Sequence, residues 1–289
     1  MADWTIHSLL QTTAAFFKKQ GLPSARLDAD VLLADTLGMK RLELYMYADK
    51  PLLPEEVDAF RERVKRRAQR EPVAYIVGSR EFYSLEMAVG PGVLIPRPET
   101  ELLVDKALET LKAAPEEEPP PLLLDLCTGS GAVPIAILKN HASARAIGAD
   151  LDAAALAFAK RNVATHGLEG RLGLVQGDLF APIPERFRGA AQVVTANPPY
   201  LTEAEMAALS PEVAFEPRLA LDGGAGGLEL YRRLAAEAGA WLRPGGTLLM
   251  EIGAGQGDEV AGLLRAAGWK EVEILPDLAK LDRVASATR

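Results

Sequence analysis

Cysteine is almost missing from this chain. Cys127 stands alone among 289 residues, so no internal disulfide can form, and a reducing compartment, the cytoplasm, is the expected setting. Histidine is nearly as rare. His7, His141 and His166 are scattered, and no Cys/His cluster has metal-ligand spacing, so no metal is expected. Long apolar runs are absent too. Nothing approaches bilayer-spanning length and no basic-then-apolar leader opens the chain, so no membrane partner is expected. The chain also lacks an overall positive charge. The formal net charge is −8, and residues 1–80 hold 13 Lys and Arg against 11 Asp and Glu, which leaves −10 on the remainder. An acidic larger part has too few cations for the many phosphate contacts of a duplex-binding surface, and aromatics make up only 6% of the chain. Direct duplex nucleic-acid binding is therefore not expected. No internal repeat is visible.

What is present is enough apolar residue, 48%, for one large domain or two unequal ones. Residues 1–72 read as a small helical domain. Apolar residues fall at helical spacing over residues 5–17 and again from Ala25 to Leu37, with Ser24 in N-cap position and Gly38 as a stop. Pro54-Glu55-Glu56 opens a further helix with acids at the positive end of its dipole. That helix carries Arg61, Arg63, Lys65, Arg66, Arg67 and Arg70, the most basic stretch of the chain, either a solvated face or a docking surface for a macromolecule. Residues 73–95 turn extended, punctuated by Gly78, Gly90 and Gly92, and read as a β-hairpin linker. Thr100 is placed to cap the next helix. Residues 113–121, with Pro115, Pro119, Pro120 and Pro121 around three glutamates, read as an exposed stiff loop.

Residues 96–289 alternate strand and helix and read as a doubly wound, Rossmann-like α/β sheet. Its first strand, Leu122–Leu126, ends beside Asp125 and runs into Cys127-Thr128-Gly129-Ser130-Gly131 before a helix. Glycines between strand and helix let a ligand approach the backbone closely. Asp150 closes the second strand about 20 residues on, the spacing at which an acid reaches a ribose diol. A dinucleotide fingerprint would place Gly or Ala where Pro134 stands, and Asp125 would repel a pyrophosphate. S-adenosyl-L-methionine has no phosphate and carries an ammonium and a sulfonium, so an acid at the loop suits it better; a loop-capping role for Asp125 is the alternative. Asp178, after the third strand, can accept a hydrogen bond from an adenine amino group, with Leu179 or Phe180 covering the ring.

The fourth strand, residues 192–196, leads into Asn197-Pro198-Pro199-Tyr200. Two prolines stop further pairing at once. An amide and a phenol are thus held on a stiff corner at the carboxyl end of a strand, where open α/β sheets bind ligands. Such a corner suits methylation of a planar nitrogen whose lone pair is delocalised. The Asn197 oxygen and the Pro198 carbonyl can hold an NH2 group, and Tyr200 offers a flat face for the acceptor. Taken alone, the tetrapeptide is equally a rigid turn with Asn197 capping its own backbone.

Together, Asp125-Leu126-Cys127-Thr128-Gly129-Ser130-Gly131, Asp150, Asp178 and Asn197-Pro198-Pro199-Tyr200 resemble the class I S-adenosylmethionine-dependent methyltransferases that act on nitrogen. Pro72-Val73-Ala74-Tyr75-Ile76-Val77-Gly78, Val93-Leu94-Ile95-Pro96-Arg97-Pro98-Glu99-Thr100-Glu101 and Phe215-Glu216-Pro217-Arg218-Leu219-Ala220-Leu221 with Gly223-Gly224 narrow the resemblance to the bacterial peptide chain release factor glutamine methyltransferases, the HemK/PrmC family. It extends over nearly the whole chain. It implies N5-methylation of the glutamine in the Gly-Gly-Gln motif of class I peptide chain release factors, with S-adenosyl-L-homocysteine as co-product. It also implies that the helical front helps to hold the release factor. The family usually has Gly where Cys127 stands. A DNA or RNA adenine or guanine N-methyltransferase, built on the same corner, is the alternative.

Overall fold

The computed structural model describes residues 4–113 and 120–289, so the proline-rich stretch expected at 113–121 lies largely outside the described residues. By its internal contacts the chain divides into two compact units. One runs to Ser79 and also holds Ser210–Phe215; the other holds Arg80–Leu209 and Glu216–Arg289.

The first unit is helical: α1 (Ile6–Lys19), α2 (Ala25–Leu37), α3 (Arg41–Met46), α4 (Pro54–Ala68) and α5 (Val73–Val77). Thr5 starts α1 by accepting a hydrogen bond from the Ser8 backbone, and Gly38 ends α2 in the left-handed conformation that costs glycine least. Ser24 precedes α2 without making a side-chain cap. Ile6, Leu10, Phe17, Leu32, Leu33 and Phe60 fill the core between these helices. The basic stretch of α4 is neutralised within this unit. Arg61 pairs with Asp58, Arg63 with Asp35, Lys65 with Glu62 and Arg66 with Glu71. Arg67, only 4% exposed, donates to Asp28 at 2.7 Å and to Glu212 at 3.1 Å, and Arg70 reaches the same Glu212. Residues 75–77, expected to be extended, are helical instead. Pro72 can stand before a first helical turn, and Gly78, at φ 85°, closes α5 after five residues.

The second unit opens within a hairpin, one residue into β1 (Ser79–Phe82), which is followed by β2 (Leu85–Ala88) and turned by Tyr83 and Ser84, both at positive φ. Phe82 and Met87 bury their side chains among residues of α6 (Glu101–Ala113), β3 (Leu122–Leu126) and α7 (Ala132–Asn140). Residues 93–95 form no strand. The chain continues through β4 (Arg145–Asp150), α8 (Ala153–Thr165), β5 (Leu172–Gln176), β6 (Ala191–Ala196), α9 (Glu203–Ala207), α10 (Glu229–Glu237), β7 (Leu242–Glu251), α11 (Gly257–Ala266), β8 (Lys270–Pro276) and β9 (Asp282–Thr288). Helix α10 ends at Glu237, where the chain tightens into a 3₁₀ turn at Ala238–Ala240.

The seven-stranded sheet has the order β5-β4-β3-β6-β7-β9-β8. Pairing is parallel from β5 through β7 and antiparallel at β9 and β8. The central strands are apolar on both faces, as parallel strands covered by helices must be. From β3 the chain winds outward through β4 and β5, then returns to β6 on the other side of β3. That reversal opens a crevice at the carboxyl ends of β3 and β6. The class I methyltransferase architecture expected from the sequence is the one observed.

Candidate active site

Asp125 stands one residue from the carboxyl end of β3, 2% exposed. Its Oδ2 accepts from the Thr128 hydroxyl at 2.5 Å and its Oδ1 from the Thr195 hydroxyl at 2.6 Å. Burial pushes its pKa from the usual 3.8 up to about 7, against the pull of those two hydrogen bonds and with help from the neighbouring charge of Asp150. Asp150, at the end of β4, accepts from the Gly129 backbone at 2.7 Å and from the Asp152 backbone at 2.9 Å. Burial raises its pKa as well. Among the described residues neither carboxylate has an ion-pair partner.

The turn between β3 and α7 needs left-handed backbone at Cys127 (φ 55°), Gly129 (φ 56°) and Gly131 (φ 77°). This gives the physical reason a glycine suits position 127: a side chain there is held where L-residues are disfavoured. The Cys127 thiol is pushed well above its ordinary range by burial, with the surrounding carboxylates adding to it. That makes it a poor nucleophile. A Cβ on Gly131 would meet Ile135 at 3.3 Å and Ala159 at 3.4 Å, so the turn also lets α7 and α8 pack closely.

These groups line a cavity of about 710 Å³. Asp125, Cys127, Thr128, Gly129, Ser130, Asp150, Asp178, Leu179, Asn197 and Pro199 all contribute to its wall. Asp178 reaches it while paired to Arg233 at 2.8 Å. Leu179 contributes an apolar wall, whereas Phe180 turns away and stacks on Trp241 with ring centroids 5.5 Å apart. Gly131, Pro198 and Tyr200 lie outside this lining. Pro198 is buried, and Tyr200 lines a separate cavity of about 200 Å³ with Thr202, Glu205, Gln256 and Glu259. Burial, and then the charge of Glu251, pushes the Tyr200 phenol up to about 12, so it stays protonated.

The exit from the Asn197 corner is fixed by its backbone. Leu201 N–H donates to Leu221 at 2.9 Å, and Gly223 N–H donates back to Leu201 at 2.9 Å. A Cβ on Gly223 would sit 2.7 Å from the Tyr200 backbone. Only glycine allows that approach.

Several residues stand in or beside the motifs that carry the resemblance, yet the sequence does not say what they touch. Glu216, 6% exposed, accepts from the Ile95 backbone at 3.0 Å and from Arg97 at 2.5 Å, tying together two stretches that look unrelated in sequence. Gly92, Val93, Leu94 and Leu219 form more of the cavity wall. Thr100 ends a 3₁₀ turn and does not cap α6 through its side chain; its hydroxyl donates to the buried Glu251.

The cavity fits a cationic nucleoside. Two carboxylates with no cation beside them lie in one wall, Leu179, Val133 and Leu151 give apolar faces for a base, and the glycine turn leaves room for close approach. It is large enough to hold an acceptor group as well, next to Asn197.

Residues 8–78 match the family described as the PrmC N-terminal domain, and residues 100–214 match the methyltransferase small domain. A protein of Geobacter sulfurreducens named release factor glutamine methyltransferase is 41% identical over 97% of this chain and 95% of its own length. A crystal structure from Alicyclobacillus acidocaldarius, titled protein-(glutamine-N5) methyltransferase (release factor-specific), is 29% identical and covers 70% of this chain and 98% of its own, with a TM-score of 0.40. A methyltransferase structure from Pyrococcus furiosus, 16% identical, covers 78% of this chain and 98% of its own with a TM-score of 0.53, a likeness of fold.

Proposed function

The chain belongs to the release factor glutamine methyltransferases, and from that premise we propose that it transfers a methyl group from S-adenosylmethionine to the side-chain amide nitrogen, N5, of the glutamine in the Gly-Gly-Gln motif of class I release factors. The observation that carries the reading is one cavity holding both the Asn197 amide and two carboxylates without an ion-pair partner among the described residues, Asp125 buried and Asp150 half-buried. The relatives' names favour glutamine over a nucleobase as the acceptor.

When bound, S-adenosylmethionine supplies an electrophilic methyl group on a sulfonium. Asp125 and Asp150 would hold such a ligand, Asp150 through its ribose hydroxyls and Asp125 through its positive charge, and Leu179 would give the base an apolar face. The acceptor amide is a weak nucleophile because its lone pair is delocalised into the carbonyl. Asn197 Oδ1 and the Pro198 carbonyl accept its two N–H groups, which aims the lone pair and withdraws its hydrogens. The nitrogen forms the new N–C bond as the C–S bond breaks with its electrons on sulfur, and the amide proton then leaves to solvent. Most of the rate enhancement comes from orientation, which can supply several kcal/mol, about 7 or more in favourable cases. Tyr200 lines the neighbouring cavity and acts through its backbone, by fixing the corner. The helical unit matched over residues 8–78 holds the release factor, and a substrate of that kind locates the enzyme in the cytoplasm.

The test is mass spectrometry of a class I release factor after incubation with the chain and S-adenosylmethionine. A mass increase of one methyl on the motif glutamine is expected. Transfer only to nucleic acid in a parallel incubation would reject the proposal.

A further inference from the structure

Thr100 and Glu251 form a buried polar pair beside Asn197. Thr100 is 4% exposed and Glu251 1%. Strands β6 and β7 run parallel with Ala196 opposite Met250, so Asn197 and Glu251 leave the sheet side by side. The Thr100 hydroxyl donates to Glu251 Oε2 at 2.5 Å, and the Asn197 Nδ2 group donates to the same hydroxyl oxygen at 3.4 Å. The direction of this chain follows from donor and acceptor inventory. An ionised carboxylate only accepts, and a threonine hydroxyl has one proton to give. With that proton committed to Glu251, the oxygen of Thr100 can only accept, and it takes the NH2 end of Asn197. The carbonyl end of the amide is the one left for a ligand in the cavity.

We propose that Thr100 and Glu251 are positioning residues that set which end of the Asn197 amide meets the acceptor, and that they do so only while Glu251 is ionised. The inference rests on the glutamine-methylation reading. The two ends of an asparagine amide are nearly equal in shape, so only a hydrogen-bond partner can discriminate them. A flipped Asn197 would point N–H groups at the N–H groups of the acceptor and repel it. Protonation of Glu251 permits that flip, because a neutral carboxyl can donate to Thr100, which then donates to Asn197 Oδ1.

The surroundings make such protonation accessible. Burial raises the Glu251 pKa from 4.5 to about 7, opposed by Thr100 and by the charge of Arg283 on β9 and Arg97 before α6, and reinforced by Glu99. Tyr200 and Tyr231 also face it, and Tyr231 donates to the Glu251 backbone oxygen at 3.1 Å. The active, ionised form therefore prevails above about pH 7 and is lost as pH falls through that value.

The test compares wild type, Thr100→Val, Thr100→Ser and Glu251→Gln as full chains on a release factor. It measures kcat and KM separately from about pH 5.5 to about pH 9, and S-adenosylmethionine affinity by calorimetry. Thr100→Val is expected to lower kcat about 10- to 100-fold, the cost of misaiming an acceptor, with cofactor Kd within about 2-fold. Thr100→Ser, which keeps the hydroxyl, is expected within about 3-fold of wild type. Wild-type kcat should fall on the acid side, and Glu251→Gln, which cannot titrate, should lose that limb. Wild-type turnover by Thr100→Val, equal defects in the Val and Ser variants, a wild-type profile flat in acid, or an unchanged acid limb in Glu251→Gln would each overturn the proposal. If Thr100→Val does not fold, the pH profile of Glu251→Gln decides alone. A wild type that leaves the glutamine unmethylated instead overturns the functional reading.

Discussion

Replacing Asp125 by Asn should stabilise the ligand-free protein while weakening its hold on S-adenosylmethionine. Asp125 is 2% exposed with a pKa near 7 in place of 3.8. An acid whose folded-state value is raised contributes most to stability below its unfolded value, and that contribution is lost as pH rises through the folded value. Above about pH 7 the buried charge therefore destabilises the fold, by up to about 4 kcal/mol at about 1.4 kcal/mol for each tenfold change in proton affinity. Asparagine removes this charge at almost the same volume. It also presents one N–H group to a threonine hydroxyl that now donates to a carboxylate oxygen, which returns about 1 to 3 kcal/mol. A net gain of up to about 1 to 3 kcal/mol, or about 2 to 6 °C, is expected at pH 8 in thermal unfolding without ligand. At pH 5 the gain should vanish, because Asp125 is then protonated in the folded protein. Calorimetry at pH 8 should show cofactor affinity reduced about 10- to 100-fold, the worth of one charge-assisted contact. A variant that is less stable at both pH values yet binds the cofactor normally would refute the reasoning and leave Asp125 as a loop cap.

Asp150→Ala should weaken cofactor binding about 10-fold or more by calorimetry, since its carboxylate both orders the Gly129 turn and faces the cavity. Gly223→Ala should lower kcat and cost about 1 to 3 kcal/mol in denaturant unfolding, because its Cβ would lie 2.7 Å from the Tyr200 backbone. Cys127→Gly should raise stability by up to about 1 kcal/mol by relieving a left-handed residue, whereas Cys127→Val should lower it, and thermal unfolding of the pair reads the sign.

Much of this was legible in the residues, and the gaps have physical causes. The parallel strands announce themselves as short apolar runs, and Asp125, Asp150 and Asn197 close three of them or follow directly after. Each therefore arrives at the same edge of one sheet, which is why their convergence on one cavity could be anticipated. Local pattern failed where tertiary packing decides. Tyr75-Ile76-Val77 is β-branched and aromatic, yet one turn of helix buries Tyr75 and Ile76 between Pro72 and Gly78. Thr100 looks like a cap because it precedes a helix; its partner Glu251 lies 151 residues away and leaves no local trace. Glu216 joins Ile95 and Arg97 across 121 and 119 residues, visible in sequence only as part of a family motif. The basic stretch of α4 offered two readings because its partners Asp35 and Glu212 come from elsewhere in the chain. Tyr200 is adjacent in sequence to residues of the large cavity, but the turn after Pro199 directs it into the smaller one.

In the proposed mechanism the Asn197 amide acts by orienting the acceptor nitrogen and not by binding the methyl donor. The direct measurement is kcat for glutamine methylation beside S-adenosylmethionine affinity in Asn197→Ala. A fall in kcat of about 100-fold or more, comparable to the loss of one preorganised polar group, with cofactor Kd within about 3-fold of wild type, is predicted. Turnover near the wild-type rate, or a loss explained entirely by weaker cofactor binding, would contradict it.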